Sequence, residues 1–236
     1  MSNAKTPVAA GKTADQDVSS FLEKVAAMQP AATAQGRGRL VFAMDATMSR
    51  QPTWDRALSI QGKMFEEARR IGGLDVQLVY FRGFGECRAS RWVADAGELA
   101  KLMTTVDCRG GNTQISKVLT HLHKEVARGK VSAVVYVGDA MEENADELCR
   151  KAGELALTGT PVFMFQEGSD AATAAVFKEI ARLTRGAYFQ LDDNSARHLA
   201  ELLGAVAVYA SGGRKALADK ARAEGGRARL LLEQLG

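Results

Sequence analysis

The segment LVFAMDATMS, residues 40–49, decides the fold of this chain. Its first five residues, 40–44, are all apolar, which is typical of a β-strand buried on both faces. The polar residues that follow carry a carboxylate and two hydroxyls: Asp45, Thr47 and Ser49. The segment SAVVYVGD, residues 132–139, has the same design and ends in Asp139. Both segments therefore predict inner strands of a parallel sheet, each followed by an acidic residue.

The rest of the chain alternates between short apolar runs and stretches with helical periodicity. Further strands are predicted at 76–81, 87–93, 161–165 and 187–191. The strand at 87–93 is expected to pair with the preceding strand through the turn at Gly83–Gly85. Strands that alternate with helices indicate a mostly parallel sheet covered by helices on both faces. We therefore predict a Rossmann-like, doubly wound α/β domain of about six strands at residues 38–210.

Segments of different composition flank this predicted domain. Residues 1–16 are small and polar and are expected to be disordered. Residues 17–37 are expected to form an amphipathic helix and a linker, because apolar residues recur there at helical spacing. Residues 211–236 are predicted to be a basic helical extension, with six basic against three acidic side chains from Arg214 onward.

Composition excludes several classes of protein. Of the 236 residues, 46% are hydrophobic and 25% are charged, which excludes a wholly disordered chain. The net charge of +3 is too small for a dedicated nucleic-acid-binding protein. No apolar run approaches the ~20 residues that span a bilayer, and the first residues do not resemble a signal peptide. We therefore expect a cytoplasmic protein without nucleic-acid or membrane partners.

Oxygen-bearing side chains are expected to meet at one edge of the sheet. The carboxyl ends of parallel strands share that edge, and ligands of such sheets bind there. The loop before one predicted helix adds Thr113, which follows two glycines. The converging residues are Asp45, Thr47, Ser49, Thr113 and Asp139. Carboxylates, hydroxyls and water are ligands that Mg²⁺ or Mn²⁺ prefers. Arg50, Trp54 and Phe84 are candidates for the rim of this site.

These residues carry a family resemblance. The run Asp45-x-Thr47-x-Ser49 resembles the D-x-S-x-S element of the metal-ion-dependent adhesion site (MIDAS) of von Willebrand factor type A (VWA) domains. Gly111-Asn112-Thr113 is similar to the second element, a threonine in a glycine-rich loop. Gly138-Asp139 is similar to the third element, although Thr-Asp-Gly is common in the family where this chain has Gly-Asp-Ala.

The resemblance implies a VWA-like fold and a Mg²⁺ ion, or alternatively Mn²⁺, that serves protein binding and not catalysis. It implies the following ligands: the hydroxyls of Thr47, Ser49 and Thr113 directly, and Asp45 and Asp139 largely through water. The partner would donate a glutamate or aspartate to the metal. Intracellular relatives of this kind often work beside ATPases or stress-response systems, so the resemblance implies such a partner.

Two alternatives stay open at the level of sequence. Haloacid-dehalogenase-like Mg²⁺-dependent phosphatases also place an aspartate after the first strand and a Gly-Asp pair after a later one, as at Asp45 and Asp139. Their general acid/base would fall at Thr47, whose hydroxyl does not titrate near neutral pH, so we expect no enzyme. The other alternative is a VWA-fold scaffold without a functional metal site.

Overall fold

The computed structural model describes residues 37–69, 71–191 and 195–223. The predicted disordered N-terminus and most of the predicted N-terminal helix and linker lie outside the described residues, as does the chain beyond Ala223. None of the helices within the described ranges is long and apolar enough to cross a membrane.

The described chain contains a six-stranded sheet. Its strands are β1 (Gly38–Asp45), β2 (Leu74–Arg82), β3 (Glu86–Val93), β4 (Ala133–Gly138), β5 (Val162–Glu167) and β6 (Tyr188–Leu191). They lie in the order β3-β2-β1-β4-β5-β6. All neighbouring strands are parallel except β2 and β3, which form the predicted antiparallel hairpin. The predicted doubly wound, mostly parallel α/β fold is confirmed.

Helices connect the parallel strands. The described helices are α1 (Gln51–Ile60), α2 (Gly62–Arg69), α3 (Ala96–Thr104), α4 (Ile115–Arg128), α5 (Ala145–Ala156), α6 (Ala171–Leu183) and α7 (Ser195–Ala223), with a 3-10 turn at Met48–Arg50 before α1. The connection between β1 and β2 contains two helices, α1 and α2, which are separated at Gln61. Helix α7 continues past residue 210 and has non-helical backbone angles at Gly213. The predicted boundary between the α/β domain and its C-terminal extension, between residues 210 and 211, stays a prediction.

Two hydrophobic cores lie on opposite faces of the sheet. In β1, Leu40, Phe42 and Met44 point to the core that is shared with α1, α2, α3 and α7. The alternate residues Val41 and Ala43 point to the core that is shared with α4, α5 and α6. Successive side chains of a strand point to opposite faces, so a continuous apolar run is required where helices cover both sides.

The register of the central strands positions the candidate site. Strands β1 and β4 pair in parallel with Met44 opposite Val137, so Asp45 and Gly138 end at the same edge of the sheet. The loop before α4 is held at that edge by backbone hydrogen bonds, from Arg109 N–H to the Ala46 carbonyl (3.0 Å) and from Asn112 N–H to the Gly83 carbonyl (3.2 Å). Three segments distant in sequence therefore meet where β1 and β4 end.

Candidate functional site

A cavity of about 280 Å³ opens at the carboxyl ends of β1 and β4. All five residues that the sequence predicted to converge line it: Asp45, Thr47, Ser49, Thr113 and Asp139. Met48, Gly110, Gly111, Ala140 and Glu142 complete the wall. The structure thus brings the predicted residues together, and the opening faces the edge where open α/β sheets bind ligands.

Asp45 forms the floor of the cavity and is only 3% exposed. Its Oδ1 accepts a hydrogen bond from the Thr47 backbone N–H at 2.7 Å. Its Oδ2 is buried and has no hydrogen-bond partner within the described part of the chain. Burial raises the pKa of the Asp45 carboxyl from 3.8 to about 6, and the hydrogen bonds from Thr47 only partly oppose this effect. A buried carboxylate oxygen without a partner requires a proton, a water molecule or a cation.

Three hydroxyl-bearing residues line the same cavity as this carboxylate. The Thr47 and Ser49 hydroxyl oxygens lie 3.4 Å apart, so both side chains turn to the same side of the loop. The Thr113 hydroxyl accepts a hydrogen bond from the Glu142 backbone N–H at 3.2 Å. In return, the Glu142 carboxylate accepts one from the Thr113 backbone N–H at 2.9 Å. Glu142 therefore fixes the position of Thr113, a role that the sequence pattern did not reveal.

Glu143 ties the same two loops together. Helix α4 has no side-chain cap of its own, because Gln114 at its N-cap position makes no capping hydrogen bond. The Glu143 carboxylate supplies the cap by accepting hydrogen bonds from the backbone N–H groups of Ile115 and Ser116. Free N–H groups at a helix N-terminus bind negative charge favourably. We call residues 109–114, the loop that carries Thr113 and precedes α4, the threonine loop. The acidic pair after β4, Glu142 and Glu143, thus anchors the threonine loop and the helix that follows it.

Two glycines of the site are required sterically. A Cβ on Gly111 would lie 2.2 Å from the Gly83 carbonyl oxygen, so a side chain there would push the threonine loop away from the β2–β3 turn. A Cβ on Gly138 would lie 2.9 Å from the ring of Tyr136 and 3.0 Å from its hydroxyl. Tyr136 therefore leaves no room for a side chain at position 138.

Arg50, a candidate for the rim, contacts two of the predicted site residues. Its Nη2 lies 3.1 Å from Asp139 Oδ2, and its Nε donates to the Ser49 hydroxyl at 3.3 Å. Its Nη1 bonds to the Glu167 carboxylate at the end of β5. No local pattern in the sequence indicates these contacts, since Glu167 is 117 residues away.

The other two rim candidates differ in burial: Trp54 is buried and Phe84 is exposed. Trp54 is 2% exposed, and its indole N–H donates to the Met103 carbonyl at 3.1 Å, so it belongs to the core and not to the rim. Phe84 is 90% exposed at the β2–β3 turn. Phe84 and the exposed Met48 place apolar side chains on either side of the threonine loop.

The donor set of the cavity fits a hard divalent cation. The five predicted residues combine two carboxylates with three hydroxyls, and Glu142 adds a third carboxylate to the wall. One buried carboxylate oxygen, Oδ2 of Asp45, has no hydrogen-bond partner among the described residues. Such oxygen ligands suit Mg²⁺ and Mn²⁺. Within the described residues, no group of three or more His, Cys, Asp and Glu could hold a metal ion. The predicted site has only two carboxylates, so hydroxyls would have to complete it.

Comparisons with known proteins place the fold. The sequence matches no protein-family model and no curated protein. Among solved structures, the von Willebrand factor type A protein from Catenulispora acidiphila aligns with a TM-score of 0.59 at 14% identity, over 74% of this chain and 43% of that one. The SpRpn10 VWA domain aligns with a TM-score of 0.57 at 10% identity, over 71% of this chain and 94% of that one.

A third similar structure contains a metal. Proximal thread matrix protein 1 from the mussel byssus, whose MIDAS motif is occupied by zinc, aligns with a TM-score of 0.55 at 14% identity. The alignment covers 73% of this chain and 46% of the mussel protein, so this chain spans less than half of that protein and of the Catenulispora protein. At these identities the similarity concerns the fold: the chain folds as a von Willebrand factor type A domain.

Proposed function

We propose that the chain is a metal-dependent protein-binding module. In this proposal the cavity binds Mg²⁺, or Mn²⁺, and the metal accepts a glutamate or aspartate from a partner protein. The observation that carries the proposal is the meeting of five oxygen-bearing side chains from three distant segments around one cavity. The metal occupying the MIDAS motif of the similarly folded mussel protein supports it.

Each residue has a role in this proposal. The hydroxyls of Thr47, Ser49 and Thr113 would bind the metal directly, and Asp45 and Asp139 would act largely through water. The ion would supply a positive centre with an open position for an anionic oxygen. Glu142 holds Thr113 in place through its two hydrogen bonds. The carboxylate oxygen of Asp45 that lacks a partner would gain one, which offsets the cost of its burial.

Binding is favoured over catalysis by the chemistry around Asp45. The second position after it holds Thr47, which cannot serve as a general acid or base near neutral pH. The exposed side chains of Met48 and Phe84 beside the threonine loop offer apolar area to a protein surface.

Thermal unfolding in Mg²⁺ or Mn²⁺ tests the metal site. At a hundred times its dissociation constant, the metal should stabilise the wild type by about 2.7 kcal/mol relative to EDTA at equal ionic strength. Asp45→Ala should abolish this increase. Asp55→Ala is the matched control, because Asp55 is exposed on α1 and does not line the cavity. Equal stabilisation of wild type and Asp45→Ala would remove the metal site from the proposal.

Affinity purification tests the partner. The full chain and Asp45→Ala should be compared as baits in Mg²⁺ and in EDTA. We expect proteins that are retained only by the wild type and only in Mg²⁺. A set of bound proteins that is the same in all four experiments would contradict metal-dependent binding.

A further inference from the structure

Arg50 places a positive charge against two side chains of the cavity wall. It ends the 3-10 turn that carries Ser49, and its side chain is only 19% exposed. Its guanidinium contacts two of the five predicted metal-site residues, Asp139 at 3.1 Å and Ser49 at 3.3 Å. The charge of Asp139 is therefore partly neutralised by the protein itself.

A divalent cation and this guanidinium compete for the same partner. Two positive charges a few ångströms apart repel each other, and the repulsion is doubled when one of them is a divalent ion. A metal ion that uses Asp139, directly or through water, would therefore weaken the bond between Arg50 and that residue. The arginine then needs a second anionic partner close by, since an unpaired, half-buried guanidinium is costly.

Glu167 is that second partner. It lies at the end of β5, next to β4 in the sheet, and already accepts a hydrogen bond from Arg50. The Thr53 hydroxyl also donates to it, and Arg56 lies 3.6 Å from its other oxygen. These contacts hold the carboxylate in place, and it does not line the cavity. Glu167 can therefore remain paired with the Arg50 guanidinium after the bond between Arg50 and Asp139 has broken.

We propose that Arg50 is a built-in competitor of the metal ion. It pairs with both Asp139 and Glu167 in the metal-free chain, and a divalent cation displaces it from Asp139 in an exchange that leaves it paired with Glu167. This inference rests on the proposed metal site. It means that Arg50 lowers the affinity of the free chain for metal. The carboxylate of a partner, which adds negative charge beside the ion and the arginine, then raises that affinity, so that metal and partner bind together.

Direct measurement of Mn²⁺ binding tests the exchange. The paramagnetic resonance signal of free Mn²⁺ reports bound metal during a titration of the full chain, without any activity assay. We expect Arg50→Gln to bind Mn²⁺ about tenfold more tightly than the wild type, because a unit positive charge near the ion is removed. Arg50→Lys should lie between the two, because it keeps the charge but loses the planar fork.

Glu167→Gln should change the affinity in the opposite direction. Without the second carboxylate, Arg50 pairs more firmly with Asp139, and Mn²⁺ should bind more weakly than to the wild type. Arg91→Gln is the matched control, because Arg91 also pairs with a glutamate, Glu98 on α3, but does not line the cavity. Its affinity should stay within about twofold of the wild type, since solvent screens more distant charges. Circular dichroism in EDTA verifies that each variant is folded.

The outcomes separate this inference from the proposed function. If the wild type binds Mn²⁺ through Asp45 but Arg50→Gln binds it equally or more weakly, the exchange is refuted and the metal site stands. If neither the wild type nor Arg50→Gln binds Mn²⁺, the proposed function fails and the exchange fails with it. Tighter binding by Arg50→Gln together with weaker binding by Glu167→Gln supports the exchange.

Discussion

The buried carboxylate of Asp45 makes the stability of the metal-free chain depend on pH in a defined way. Burial raises the pKa of this group from 3.8 to about 6 in the folded chain. The folded state therefore holds a proton that the unfolded state has lost between these two values. The contribution of Asp45 to the free energy of unfolding is accordingly most favourable below about pH 4, falls as the pH rises to 6 and is constant above that.

The substitution Asp45→Asn isolates this effect. Asparagine has nearly the same shape, can still accept the Thr47 backbone N–H, and does not titrate. Any cost of its buried amide is the same at every pH, whereas each pKa unit of the aspartate corresponds to about 1.36 kcal/mol. Between pH 4 and pH 7 the wild type should therefore lose about 2 kcal/mol relative to the variant.

Urea unfolding in EDTA at pH 4, 5, 6 and 7, followed by circular dichroism, measures this difference. Asp107→Asn is the control for the sign, because Asp107 is exposed and its bonds to Arg109 and Arg82 lower its carboxyl pKa to about 2. Relative to Asp107→Asn, the wild type should gain at most a small amount of stability between pH 4 and pH 7, which is the opposite of the loss expected relative to Asp45→Asn. A stability difference between wild type and Asp45→Asn that does not vary with pH would refute the buried, unpaired carboxylate on which the site is built.

Two further predictions concern the loop and the opposite edge of the sheet. Gly111→Ala should destabilise the chain by about 1–3 kcal/mol and weaken Mn²⁺ binding, because its Cβ would collide with Gly83. Gly110→Ala, where a Cβ meets nothing within 4 Å, should do neither. Glu125→Ala should cost about 3 kcal/mol in urea unfolding, because this glutamate is 3% exposed and accepts hydrogen bonds from Trp92 and Arg128. It should leave Mn²⁺ affinity unchanged, and a weakened affinity would contradict the separation of this network from the cavity.

Much of the fold could be predicted from local patterns in the sequence. The unbroken apolar run of β1 indicates a strand that is covered on both faces. The recurring apolar positions of α4 indicate a helix that is covered on one side. Such periodicities depend only on which face of an element is buried, and this can be read from neighbouring residues. The break at Gln61 cannot be recognised from such a pattern, because two short helices in succession have nearly the same period of apolar residues as one long helix.

The candidate site, like the fold, could be predicted only in part from the sequence. The sequence by itself determined that Asp45 and Asp139 follow inner strands and that Thr113 follows a pair of glycines, and parallel strands must bring their ends to one edge. Only the tertiary structure decided that Arg50 joins Asp139 to Glu167 and that Glu142 holds Thr113. These contacts join loops that are remote in the chain, and their geometry depends on strand order and register, which no local residue pattern encodes.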